Sequence, residues 1–174
     1  MATSSSIAKL SPRLQSVFGL LSVEDDTKIR IILGEIDKIL LEFAQHFGLN
    51  RAGREGTGLD LVWNPSGQVQ ISSFIGAGLD GNRCADFIVS LQPGWVYGDF
   101  PSEQIWEIEA QIYADCQHKI DHWSMHLVHD LPTVHKTNPI DAVETLRDMT
   151  AELVQLGKEK PLEFWLNLAG TDEE

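Results

Sequence analysis

Two rhythms of apolar residues divide this chain. Between positions 22 and 48, Ile29, Ile32, Leu33, Ile36, Ile39, Leu40, Phe43 and Phe47 recur every three or four residues, the spacing that puts side chains on one face of an α-helix. Ser22 precedes the acids Glu24, Asp25 and Asp26, a cap followed by charges that the positive end of the helix dipole favours. Gly48 can close this helix in a left-handed cap. A shorter helix is predicted ahead of it, where Ser11 and Pro12 precede Leu14, Val17, Phe18 and Leu21,. A third follows Asn138 and Pro139, its stripe of Val143, Leu146, Met149, Leu153 and Leu156 running up to Gly157. The last segment, PLEFWLNLA, is a short helix or strand that seals the core.

In between, the rhythm changes to two. LDLVW at 59–63 and QVQISSFI at 68–75 flank the turn NPSG and read as a hairpin,. CADFIVSL at 84–91 follows the glycine-rich turn GAGLDGNR. Over 106–116 the alternation is clean: Trp106, Ile108, Ala110, Ile112, Ala114 and Cys116 against Glu107, Glu109, Gln111, Tyr113 and Asp115. Such a strand has one face in the core and one in water. RAGREGTG at 51–58 separates the helical part from the sheet and reads as a flexible connector. It is not a phosphate loop, because that loop needs a strand before it and a helix after it.

These elements predict an α+β fold: a two-layer sandwich in which a meander of about five antiparallel strands carries the N-terminal and C-terminal helices on one face. One domain over 1–174 is expected, with a helical part at 11–48, the sheet at 59–131 and the C-terminal helix at 138–157. A reversal through 117–120 would return the chain with Trp123, Met125, Leu127 and Leu131 inward, Ala114 opposite Trp123 and Ile112 opposite Met125. On the wet face it would set Asp115 opposite His122 and Gln111 opposite His126, and Glu107 against Asp130. That last like-charge pair leaves a register slipped by two residues open.

Composition narrows the function classes. Of 174 residues, 43% are hydrophobic, enough for a core without metal or disulfide staples,. The net charge is -13, which repels phosphate backbones and anionic membranes, so neither nucleic acid nor membrane is an expected partner. The charge is concentrated towards the C-terminus: residues 1–100 carry 8 basic and 11 acidic side chains, residues 101–174 carry 5 and 15. A basic protein partner gains encounter rate there, and a second copy of the chain is the alternative partner. The two cysteines, Cys84 and Cys116, fall in apolar segments and read as buried thiols of a reducing compartment, which together with the absence of a signal-like start places the protein in the cytoplasm,.

Candidate chemistry lies in two places. The stretch DCQHKIDHWSMHLVHDLPTVH at 115–135 holds five of the six histidines. Were it helical, His118, His122 and His126 would stack at four-residue intervals and neighbouring pairs could share a zinc. As strand, His122 and His126 are roughly 13 Å apart at about 3.3 Å per residue, too far for one ion. His129 falls on the core face. A histidine working with Glu107, Glu109 or Asp115 would offer acid/base chemistry, but no GxSxG or HExxH is present and no catalytic residue, metal or cofactor is assigned.

The second place is the loop QPGWVYGDFP, whose Trp95, Tyr97 and Phe100 stand among prolines and glycines between two strands. Constrained aromatics are typical binding anchors. With Glu107, Glu109 and Tyr113 of the wet strand face, they form the expected partner-binding set. The sequence therefore points to a non-catalytic acidic protein-binding module of adaptor, chaperone or inhibitor type. The alternatives are a metal-dependent hydrolase built on the histidine hairpin and a small-ligand-binding domain.

Overall fold

The apolar stripes of the helices find their partner surface in the computed structural model, which describes residues 14–46, 56–63, 68–80, 83–94, 104–119 and 122–168. Helices α1 (Gln15–Phe18) and α2 (Val23–His46) lead into strands β1 (Gly56–Trp63), β2 (Val69–Asp80), β3 (Arg83–Pro93), β4 (Trp106–Lys119), β5 (His122–Asp130) and β6 (Val134–Lys136). Helices α3 (Pro139–Glu159) and α4 (Leu162–Asn167) follow. The strands pair antiparallel in the order β1-β2-β3-β4-β5, and β6 also pairs with β4. Helices α2 and α3 pack against each other and, with α4, on the sheet, which makes the fold an α+β two-layer sandwich.

The capping residues act as the sequence requires. Ser22 Oγ accepts the amide of Asp25 at 3.0 Å. Asn138 Oδ1 accepts those of Ile140 and Asp141 at 2.9 and 3.2 Å, satisfying donors that a helix start leaves without a partner. Ile29, Leu33, Ile36, Leu40 and Phe43 of α2 are buried against Leu59, Leu61, Ile71 and Phe87 of the sheet and Val143 and Leu146 of α3 in one apolar cluster. Each such side chain contributes about 1.5–3 kcal/mol on leaving water. Trp106 of β4 also donates from Nε1 to the Val17 carbonyl at 3.3 Å and lies 5.7 Å from the Phe18 ring, which fastens α1 to the sheet.

Four expectations change. Gly157 does not end α3, which continues to Glu159; its role is packing. The glycine-rich run at 76–83 is mostly strand, since β2 extends to Asp80 and β3 starts at Arg83. The sheet also reaches beyond 59–131, from Gly56 to Lys136. Pro132 lies between β5 and β6, where its missing N–H breaks the ladder into two pieces along one edge of β4,.

The fourth change is the register of the histidine hairpin. The strands run up to Lys119 and resume at His122, which are partners across the turn. From there Asp115 faces Met125, Ala114 faces His126 and Tyr113 faces Leu127. Val128 is then an extra residue in a bulge, because Ile112 pairs with His129 and Gln111 with Asp130. The expected pairs of Ala114 with Trp123 and Ile112 with Met125 do not form. The reversal comes two residues later and β4 carries one extra residue between Gln117 and Lys119, a net odd shift that exchanges the faces: Met125 and Leu127, expected inside, are 61% and 51% exposed,. The bulge then restores His129 to the helix-covered side, opposite Ile112, with its ring 6.0 Å from that of Trp165,.

Candidate functional site: the open face of the sheet

No described helix covers the second face of the sheet, and the cross-strand registers order its side chains into rows. One row runs Gln92, Glu107, His135 across β3, β4 and β6. The next holds Asp60, Ser72, Ser90 and Glu109, and the one beyond it Phe74, Ile88, Gln111 and Asp130. Asp86, Tyr113 and Leu127 form another. Antiparallel partners project to the same side, so these rows are physical neighbours.

The acidic end is hydrogen-bonded. Gln92 Nε2 donates to Glu107 Oε1 at 2.9 Å, and His135 Nε2 stands 3.1 Å from Glu107 Oε2. Glu109, two residues along β4, has its carboxyl held above the ordinary carboxylate range, first by partial burial and then by the charge of Glu107, with His135 pulling the other way,. Burial, with the nearby Glu109, likewise raises the phenol of Tyr113, which donates to Gln111 Oε1 at 2.8 Å. Two carboxylates on one strand face are thus kept close at a cost, an arrangement suited to receiving a cation.

The other end is apolar. Phe74 folds over β1, where a Cβ on Gly58 would meet its ring at 3.6 Å, yet it stays 38% exposed. Ile88 is its cross-strand partner. Leu127 and Met125 are more exposed still, on a strand that forms the end of the sheet. Gln111 and Tyr113 of β4 lie between the two apolar pairs, and Asp86 and Asp130 stand in the same rows.

Among the described residues the open face carries fixed charge of one sign, whereas the helices carry both signs. Asp60, Asp86, Glu107, Glu109 and Asp130 occupy the open face, and no described side chain there is Lys or Arg. Lys28, Arg30, Lys38, Arg147 and Lys158 are all on helices, where several are paired: Lys28 with Glu24 at 2.7 Å, Arg30 with Asp26 at 2.6 Å and Arg147 with Glu35 at 2.9 Å. Lys136 is opposite Trp106 and belongs to the helix side.

Of the residues singled out from sequence, Glu107, Glu109 and Tyr113 share this face and are coupled through burial and charge. Trp95, Tyr97 and Phe100 lie outside the described residues; the stem of their loop is closed by the Gly94 amide, which donates to the Ile105 carbonyl at 2.7 Å. That stem adjoins Gln92 and Glu107, so the loop leaves the sheet at its acidic end. His118, His122 and His126 belong to strands β4 and β5, so the helical stack that would bring them around one ion does not form. Among the described residues no three His, Cys, Asp or Glu side chains are grouped to hold a metal.

Sequence reasoning passed over Gln92, Phe74 and the pairing of His135 with Glu107. Phe74 alternates with the buried Ser73 and Ile75, a signal that was available. The pairing of residues 28 positions apart depends on β6 continuing past Pro132 along β4, which no local pattern encodes. No described helix is long and apolar enough to cross a membrane. No protein-family model, curated protein or solved structure matches this chain.

Proposed function

We propose that this protein is a non-catalytic binding module, of adaptor, chaperone or inhibitor type, whose open sheet face receives a basic, partly apolar segment of another protein. The observation that carries this reading is the make-up of the open face, where acids stand beside exposed apolar side chains and no described Lys or Arg balances them. A segment bearing Lys or Arg among apolar residues complements both halves of that surface, with cations near Glu107 and Glu109 and apolar side chains against Phe74, Ile88 and Leu127. Trp95, Tyr97 and Phe100, on the loop that leaves the acidic end, supply aromatic anchors. Cys84 as a buried thiol suits a reducing, cytoplasmic setting,.

The test is titration of isotopically labelled protein with an eight-residue peptide of alternating Val and Lys, and with its Val and Glu counterpart, at low and high salt. Saturable amide shifts on β2 to β5 with the Lys peptide alone, weakening with salt, are expected. Substituting Glu107 and Glu109 together by Gln should weaken binding about 5- to 50-fold, the range of roughly 1–2.3 kcal/mol for desolvated charge contacts. An equal response to both peptides, or shifts confined to the helices, would reject the proposal.

A further inference from the structure

Strand β5 ends the sheet, and no described residue pairs with its outer edge. Exposed edges are ordinarily protected, because a row of unpaired N–H and C=O groups templates another strand; charges, proline, bulges or a covering element are the usual means. Across His122–His129 the sequence is HWSMHLVH, without Asp, Glu, Lys, Arg or Pro. Among its described side chains, the exposed Met125 and Leu127 point to the acidic open face. The helix layer meets this strand at its far end, where Trp165 of α4 lies 6.0 Å from His129, while its main packing is elsewhere: α2 on β1 and β2, α3 on β3, β4 and β6, and α4 on β2, β3 and β4. The ladder to β4 is irregular at two points, between Gln117 and Lys119 beside the turn and at Val128, and the bulge at Val128 bends the edge after Leu127,. The opposite edge differs. There Leu59 and Leu61 are buried under α2, and the outward Asp60 is charged.

We propose that the partner segment binds as an added strand along the outer edge of β5 from His122 to Leu127, its apolar side chains continuing the row of Tyr113 and Leu127 and a basic side chain meeting Asp130. This rests on the reading of the open face as a binding surface and specifies how the segment engages it. Main-chain pairing supplies affinity; the side chains on alternate positions supply selection for an apolar and basic pattern. Charge chooses this occupant over a second copy: with a net charge of -13 on each chain, two acidic faces would be brought side by side, whereas a cationic strand is attracted.

The experiment compares the Val and Lys peptide with a version N-methylated at four consecutive central amides, which keeps every side chain but cannot pair from either edge. The Lys peptide is expected to slow hydrogen exchange of the outward amides of residues 122–127 at least tenfold, and N-methylation to weaken binding at least tenfold. A Met125→Lys, Leu127→Lys double variant should lose binding to the same degree while keeping its amide spectrum, since both side chains are exposed. If both peptides bind alike and shift only β2 to β4, strand addition is wrong and the face reading stands. If neither binds, both readings fall. Sedimentation without peptide completes the test: a concentration-dependent dimer with protected β5 amides would mean that a second copy holds the edge, and would overturn the proposal.

Discussion

Gly157 of α3 lies so close to Phe43 of α2 that a Cβ at this position would stand 2.9 Å from two carbons of the ring, and 3.0 Å from Phe87. The rings of Phe43 and Phe87 are 5.6 Å apart and both are buried, so neither can yield without disturbing the layer between helices and sheet. Gly157→Ala is therefore expected to destabilise by about 1–3 kcal/mol from overpacking, even though alanine gains about 1 kcal/mol in helix propensity. Denaturant unfolding measures this. A second change, Phe43→Leu, should relieve the clash, so the double variant should lose less than the sum of the two singles.

A buried polar contact ties the same helix to the sheet. Thr150 donates from Oγ1 to the Leu146 carbonyl at 2.7 Å and stands 3.2 Å from Ser73 Oγ, with the two residues 2% and 1% exposed. Thr150→Val keeps the shape and leaves the Ser73 hydroxyl without this partner, at an expected cost of about 1–2 kcal/mol. Adding Ser73→Ala removes the stranded hydroxyl, and the double variant should recover much of the loss. A simple sum of the single effects in thermal or urea unfolding would show that the hydroxyls act independently.

The strained carboxyl of Glu109 gives stability a pH dependence of definite sign. Its pKa is raised in the folded protein, chiefly by burial and secondly by Glu107, so folding favours the protonated form. The associated stability is complete below the ordinary carboxylate pKa and is lost as pH rises through the raised value. Glu109→Gln should consequently stabilise the protein at pH 7, by on the order of 0.5 kcal/mol because solvent screens a half-buried group. The advantage should vanish near pH 4. Paired unfolding curves at the two pH values decide the matter; a constant difference would place its origin elsewhere.

How far the sequence could be read depended on how local the causes were. Ser22 and Asn138 cap their helices within three residues, and the stripe of Ile29, Leu33, Ile36 and Leu40 needs only a helix to become a face. Those elements and the α+β sandwich were legible, as were Glu107, Glu109 and Tyr113 as a single strand face. Gly157 misled because a glycine after an apolar stripe also looks like a cap; its reason is a phenylalanine over a hundred residues away in the chain. The histidine hairpin misled for a related reason. Period two fixes alternation but not phase, and the later reversal together with one extra residue of β4 between Gln117 and Lys119 turns Met125 and Leu127 from core into surface,.

The bulge itself supports a final prediction. Tyr113 pairs with Leu127 and Ile112 with His129, so Val128 is surplus to the register on both sides. Deleting it would keep every other pair while straightening β5 and extending its flat edge towards Asp130. Val128 is partly buried against the core, so a loss of about 1–2 kcal/mol is expected from its missing contacts. The fold should survive, with amide shifts confined to β4 and β5. The edge, however, loses the bend that discourages pairing. Self-association detected by sedimentation should therefore rise in the deletion variant, most clearly at high salt, where screening weakens the mutual repulsion of acidic chains. A deletion variant that stays folded and as monomeric as the parent at every salt concentration would show that Val128 does not guard this edge.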